Sequence, residues 1–287
     1  MNLPDCITIE EPTPGYPVYA IHHPAATARV ALHGAHLMEW TPAGHAPVLF
    51  MSPQAVLEAG KPVRGGIPIC WPWFGGHPND ATKPMHGIAR IRFWHLTEAT
   101  ASAAGVTLTF SLTSDAQTLA AWPHAFAARV EMRIGQALEV RLSTQNLGQA
   151  PFSITEALHT YLSVGDIDQV TVRGLAGLAY LDTVGPLTMR QQEGDIVIDR
   201  EVDRQYVSTG PVVVADAALK RKVRIENEGS NTVVVWNPWI EKSTRLADLP
   251  NHDYPRFLCI EAANTGDTAP TVQPGAMHAI LTRLRVS

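Results

Sequence analysis

Polar and apolar residues alternate with a period of two over long parts of the chain. Val106-Thr-Leu-Thr-Phe-Ser-Leu112, Ala128-Arg-Val-Glu-Met-Arg-Ile134 and Leu138-Glu-Val-Arg-Leu142 each put apolar side chains on one face and polar ones on the other, as half-buried strands do. Gly135-Gln136-Ala137 joins the last two as a predicted hairpin. Further strands are expected around Arg29 to His33, Ile88 to Leu96, Ile154 to Ser163, Gln169 to Arg173, Lys222 to Glu226, Thr232 to Trp236, Phe257 to Ala262 and Ala279 to Val286. Helical pattern is scarce. Gln54 to Ala59 and Asp115 to Trp122 could each supply a couple of turns, the second capped by Ser114 or Asp115. Strands do not alternate with helices, which disfavours a Rossmann fold or a (β/α)₈ barrel, and neither repeat nor linker divides the chain. The expectation is one all-β domain over residues 1–287, a large antiparallel β-sandwich with a few short helices.

Composition narrows the function classes. The 287 residues are 45% hydrophobic and 17% charged, enough to bury a large core. Net charge is -5 and the 22 Lys+Arg are scattered, so no basic stripe invites a nucleic acid, and an anionic ligand would need a local arginine cluster. No run of about 18 apolar residues could span a bilayer, and the N-terminal stretch lacks the pattern of a signal peptide. A cytoplasmic location without membrane or nucleic-acid partners is expected. Cys6, Cys70 and Cys259 are odd in number and far apart, which suits buried free thiols better than a disulfide or metal framework.

The chain has no GxxxxGK[ST], no GxGxxG after a strand, no GxSxG and no HExxH. His33 and His36 are the nearest thing to a metal pair, but three residues apart on a strand they point to opposite faces, and a structural role is expected. Residues 64–78, RGGIPICWPWFGGHP, cannot be an ordinary helix and look built to hold a cation and aromatic faces in a fixed shape. In Met85-His86-Gly87-Ile88-Ala89-Arg90 an extended chain would carry His86 and Arg90 on one face about 13 Å apart, a distance that a bend at Gly87 would shorten. In Glu156-Ala-Leu-His159-Thr-Tyr161-Leu, His159 and Tyr161 share one face, opposite to Glu156. In Phe257-Leu-Cys-Ile-Glu261-Ala-Ala-Asn264 one carboxylate sits inside an apolar run, where ionisation is costly unless compensated. Each segment also has a structural reading: a surface arginine, a basic strand edge, a hydrogen-bonded histidine and a buried ion pair.

Taken together, RGGIPICWPWFGGHP, HGIAR, EALHTYL, EVDRQY, VWNPW and LCIEAAN occur in the order found in the galactose mutarotase-like superfamily. From about Leu32 onward the chain resembles its hexose-6-phosphate mutarotase branch, the glucose-6-phosphate 1-epimerases. The resemblance implies a large β-sandwich and interconversion of the α and β anomers of a hexose 6-phosphate without a cofactor or metal. It implies His159 as general acid, Glu261 as general base, and Arg64, His86, Arg90 and Asp203 as substrate-binding residues. Met85 stands where some members have Gln, and a thioether cannot replace an amide's donors.

If Glu261 and His159 face each other across the sugar, opposite charges favour an ionised carboxylate and an imidazolium near neutral pH. Arg64 and Arg90 would hold the phosphate, and the protein would act on this small molecule as a monomer. Four alternatives stay open: a plain aldose 1-epimerase for free sugars; a non-catalytic carbohydrate binder with Trp71, Trp73, Phe74 and Trp236 as platforms; a glycoside hydrolase using Glu156 and Glu261; and a metal-dependent sugar-phosphate isomerase.

Overall fold

The computed structural model describes residues 2–287 and is built almost wholly from antiparallel strands. Two large sheets dominate. The nine-stranded sheet runs in the order Ile196–Val197, Val170–Arg173, Val212–Asp216, Arg221–Glu228, Met277–Val286, Ala137–Asn146, Phe126–Gly135, Gly105–Thr113, His95–Ser102. The period-two segments lie here. Ala137–Asn146 alternates half-buried and buried residues along its whole length, so one face turns to the core and the other to solvent. The predicted hairpin is present, with Ile134 opposite Leu138.

The eight-stranded sheet runs Thr188–Gln191, Ala179–Asp182, Val202–Val207, Thr232–Asn237, Phe257–Asn264, Glu156–Leu158, Ile69–Cys70, and Tyr161–Ser163 also pairs with Phe257–Asn264. Its central strand, Phe257–Asn264, is buried at every position because both of its faces are covered. Leu258, Ile260 and Ala262 enter the main core shared with the nine-stranded sheet. Phe257, Cys259 and Ala263 join a second apolar cluster with Phe50, Tyr161, Val234 and Trp236 on the opposite face. Glu261 shares that second face by alternation. A four-stranded sheet, Ile7–Glu10, Val18–His23, Ala26–Ala31 and His36–Pro42, and the small pair Phe152–Ser153 with Thr271–Val272 complete the architecture.

Three expectations need correction. Ile88 to Leu96 is not a strand: His86 and Gly87 take left-handed backbone angles (φ 61° and 77°), Ala89–Ile91 forms a 3₁₀ turn, and the strand begins only at His95. Residues 54–59 form no helix. The Ser52 hydroxyl accepts the Gln54 N–H and the Ser52 carbonyl accepts the Ala55 N–H, so local turns capture these donors. Ile154 to Ser163 is two short strands broken at His159 and Thr160. The helix predicted after Asp115 is present at Ala116–Ala121, and Asp115 caps it by accepting the Thr118 N–H at 2.7 Å.

His33 and His36 are structural, as expected. The Gly60 N–H donates to His33 Nε2 at 3.0 Å, which leaves Nδ1–H facing the Tyr16 hydroxyl at 3.3 Å. His36 Nε2 lies 2.8 Å from the Gly65 carbonyl, and burial holds its pKa down at about 4. All three cysteines are free, with Cys70 and Cys259 buried. No helix among the described residues is long and apolar enough to cross a membrane.

Candidate active site

The second face of the eight-stranded sheet opens into a cavity of about 620 Å³. Its lining includes every site residue expected from sequence: Arg64, His86, Arg90, His159, Asp203 and Glu261. They arrive from five segments, and local chain geometry explains each placement. The break between Glu156–Leu158 and Tyr161–Ser163 turns His159 onto the cavity face, where its ring stacks on Tyr161 at 4.7 Å and 8°. Glu156 stays on the core side. There it meets His278 Nε2 at 2.7 Å and accepts from Asn264 Nδ2 at 3.1 Å. A carboxylate pair of Glu156 and Glu261 across one substrate is therefore ruled out, and with it the glycoside hydrolase arrangement.

His159 Nδ1 approaches Glu261 Oε1 at 3.3 Å, with the two side chains 10% and 1% exposed. Burial drives both toward their neutral forms. His159 is held well below the ordinary histidine range by burial, and then by the positive fields of His86, Arg90 and Arg64. Glu261 is pushed well above the carboxylate range by burial and by the Asp203 charge, with Arg90 opposing. Against the expectation of an ion pair, both groups are biased away from their charged forms, the carboxyl toward the protonated acid and the imidazole toward the neutral ring. Desolvation of two nearly inaccessible groups is the physical cause.

His86 is a neutral donor. Its Nδ1 accepts the Gly75 N–H at 3.1 Å, so the proton is on Nε2, and burial with the nearby Arg90 and Arg64 charges lowers its pKa to about 3. Arg64 is more engaged than a free phosphate clamp. Its Nε and Nη2 both lie 3.1 Å from Asp248 Oδ1, and Nη1 donates to the Tyr161 hydroxyl at 3.0 Å. Arg90 donates from Nη2 to the Met85 carbonyl at 2.7 Å. Asp203 lies 3.8 Å from the Lys242 ammonium, and burial raises its pKa.

The tryptophans divide. Trp71 and Trp73 are core residues, 0% and 4% exposed, and Trp71 packs edge-on against Trp122 and Phe126, so neither can be a sugar platform. Phe74 and Trp236 do line the cavity. His77 lies outside the lining, with its ring edge-on to Trp73. Sequence reasoning missed Lys242, Asp248, Gln205 and Thr265, which also line the cavity. Gln205 lies inside EVDRQY, two residues after Asp203, and Thr265 directly follows LCIEAAN, whereas Lys242 and Asp248 sit in no such motif. Among groups able to hold a metal, His159, Cys259 and Glu261 bring donor atoms within 4.8 Å of one another.

The cavity thus gathers a buried acid, a histidine 3.3 Å from it and three cations. Residues 17–285 match the aldose 1-epimerase family. The chain belongs to that family. It is 36% identical over 260 residues to an Escherichia coli K12 protein named, provisionally, glucose-6-phosphate 1-epimerase, covering 90% of this chain and 86% of the relative. A relative of the same name from Cenchrus ciliaris is 33% identical over 86% of this chain and 78% of its own length. Among solved structures, a provisionally assigned mutarotase from Salmonella typhimurium superposes with a TM-score of 0.93 at 30% identity, covering 100% of this chain and 95% of its own. The β-sandwich is thus that of the mutarotases, and this aldose 1-epimerase family member is an epimerase.

Proposed function

We propose that the protein interconverts the α and β anomers of a hexose 6-phosphate, glucose 6-phosphate foremost, with His159 and Glu261 as its acid and base. The observation that carries this reading is the 3.3 Å approach of His159 Nδ1 to Glu261 Oε1 in a cavity whose lining also holds Arg64, Arg90 and Lys242. His159 Nδ1 is buried against Glu261, which leaves Nε2 as the nitrogen open to the cavity. The Glu261 proton passes to Nδ1 as Nε2–H protonates the ring oxygen of the sugar. The carboxylate so formed takes the proton of the C1 hydroxyl. The bond from C1 to the ring oxygen breaks and C1 becomes an aldehyde; rotation about C1–C2 and the reverse proton transfers give the other anomer. No atom is gained or lost, and one acid plus one base suffices. Neutral His86 and Asp203 bind sugar hydroxyls, while Arg64 and Arg90 bind the phosphate. The proposed unit is a single domain working as a monomer in the cytoplasm without a cofactor.

The pair works with one proton, and acidification adds a second. Because burial depresses His159, the acid limb of kcat/KM lies below pH 6.5, with the rate rising as pH increases through it. Exchange NMR across pH, corrected for the substrate's phosphate ionisation, measures this limb; a midpoint at 6.5 or above contradicts the assignment.

The test of the substrate is glucose 6-phosphate against free glucose. Charge-assisted phosphate contacts should favour the phosphorylated sugar by about 10- to 100-fold in kcat/KM, and Arg64→Met should remove most of that preference. One observation favours a second reading, a plain aldose 1-epimerase: Asp248 already occupies the Arg64 fork. Equal rates for the two sugars would decide for it.

A further inference from the structure

Cys259 takes no part in the proposed reaction, yet it stands two residues before Glu261 on the strand Phe257–Asn264 and so shares its face. Its Sγ, a His159 nitrogen and a Glu261 oxygen all lie within 4.8 Å of one another. His159 Nδ1 and Glu261 Oε2 are buried without a hydrogen-bond partner, in residues only 8% and 1% exposed. Unpartnered buried polar atoms of this kind are costly and uncommon.

The spacing suits one class of ion. Zn²⁺ binds nitrogen and oxygen at about 2.0–2.1 Å in tetrahedral geometry, which places two such ligands roughly 3.3 Å apart. His159 Nδ1 and Glu261 Oε1 are 3.3 Å apart. A thiolate at about 2.3 Å from the ion would lie roughly 3.6 Å from each of them, a spacing inside the 4.8 Å within which the three donor atoms already lie. A nitrogen, a sulfur and one carboxylate are a poor set for Mg²⁺ or Ca²⁺, which take six or more oxygens. His159 and Glu261 both line the cavity, which supplies an entry path and leaves the fourth position to water. The Arg64 and Arg90 charges oppose a cation here, and Asp203 favours it.

We infer that His159, Cys259 and Glu261 form a binding site for a thiophilic divalent cation, Zn²⁺ in particular, and that its occupancy switches anomer exchange off. The ion takes the Nδ1 lone pair and the carboxylate oxygen, so the proton can no longer pass between them. Binding converts the Cys259 thiol to a thiolate and releases protons, so affinity rises with pH. Only the effect on rate rests on the proposed function; the site itself does not.

Co²⁺ titrated into the purified metal-free full-length protein is the probe. The wild type should develop a thiolate-to-cobalt charge-transfer absorption that Zn²⁺ displaces and Mg²⁺ does not. Cys259→Ser should abolish the band and weaken Zn²⁺ binding by about tenfold or more, while metal-free anomer exchange stays within about twofold of wild type. Glu261→Gln should weaken Zn²⁺ competition in the same assay, a second variant should the serine protein fold poorly. Micromolar Zn²⁺ should inhibit the wild type and a chelator should restore it. Absence of the band, or a band that survives in Cys259→Ser, overturns the site. A cobalt band in a protein without anomer exchange leaves the site standing and removes the proposed function instead.

Discussion

Glu261→Gln is expected to lower the rate of anomer exchange by about 10²- to 10⁴-fold while sugar-phosphate affinity changes only severalfold. Glutamine keeps the shape of the side chain but can neither give a proton to His159 Nδ1, 3.3 Å from the present carboxyl, nor take one from the C1 hydroxyl. The proposed phosphate contacts of Arg64 and Arg90 are untouched, so ground-state binding should survive. The same substitution should raise the melting temperature. Glu261 has a folded-state pKa raised above its unfolded value, so its contribution is fully present below about pH 4.5 and is lost as pH rises toward the folded pKa. Above about pH 4.5 the native state therefore holds this group more protonated than the unfolded chain does, and that difference costs stability. An amide carries no such cost. Lost exchange with gained stability is the signature of a functional group held against its own solvation, whereas a merely structural residue would lose both. Exchange NMR and calorimetry on the one variant decide this, and wild-type exchange, or a fall in melting temperature, contradicts the role. His159→Asn should show the same loss of rate.

The strands legible in the sequence are those with one wet face. Ala137–Asn146 and Gly105–Thr113 have a solvent side and a core side, so alternation reports them directly. Phe257–Asn264 has no solvent side, and there the informative signal was the misfit of a single Glu in an apolar run. The family resemblance supplied the proposed roles of His159 and Glu261, but not the direction in which burial biases their protonation. That depends on how far each is removed from water, which requires the tertiary structure. Arg64 was visible as a cation beside two glycines. Its bond to Asp248 was not, because 184 residues separate the partners. Lys242 and Asp248 escaped notice for a related reason: they reach the cavity from the segment around the helix Trp239–Ser243, where polar residues look like an ordinary surface. The Ile88 to Leu96 segment misled because its apolar residues fit a strand, while two consecutive left-handed residues, His86 and Gly87, fold it into a turn.

That turn supports the other large prediction, that Gly87→Ala destabilises the protein by about 4 kcal/mol and also impairs the site. A methyl group at Gly87 would lie 2.0 Å from the Trp71 carbonyl oxygen, 2.3 Å from its carbon and 2.9 Å from Pro72 N, at a φ of +77° that is strained for any side chain. The Trp71 carbonyl cannot retreat cheaply. It accepts the N–H groups of Ile88 at 2.8 Å and Ala89 at 3.1 Å, and the Trp71 ring is fully buried against Trp122 and Phe126. The segment from His86 to Arg90 must therefore be the part that moves, at the loss of both hydrogen bonds. His86 would leave the Gly75 N–H, and Arg90 would leave the Met85 carbonyl and the cavity wall. The urea midpoint should fall, and kcat/KM for the sugar phosphate should fall about tenfold or more in protein that remains folded. A loss below about 1 kcal/mol would mean that the turn rearranges independently of the core. In that case His86 and Arg90 would owe their positions to something other than the Trp71 carbonyl, and the proposed link between core packing and phosphate recognition would fail.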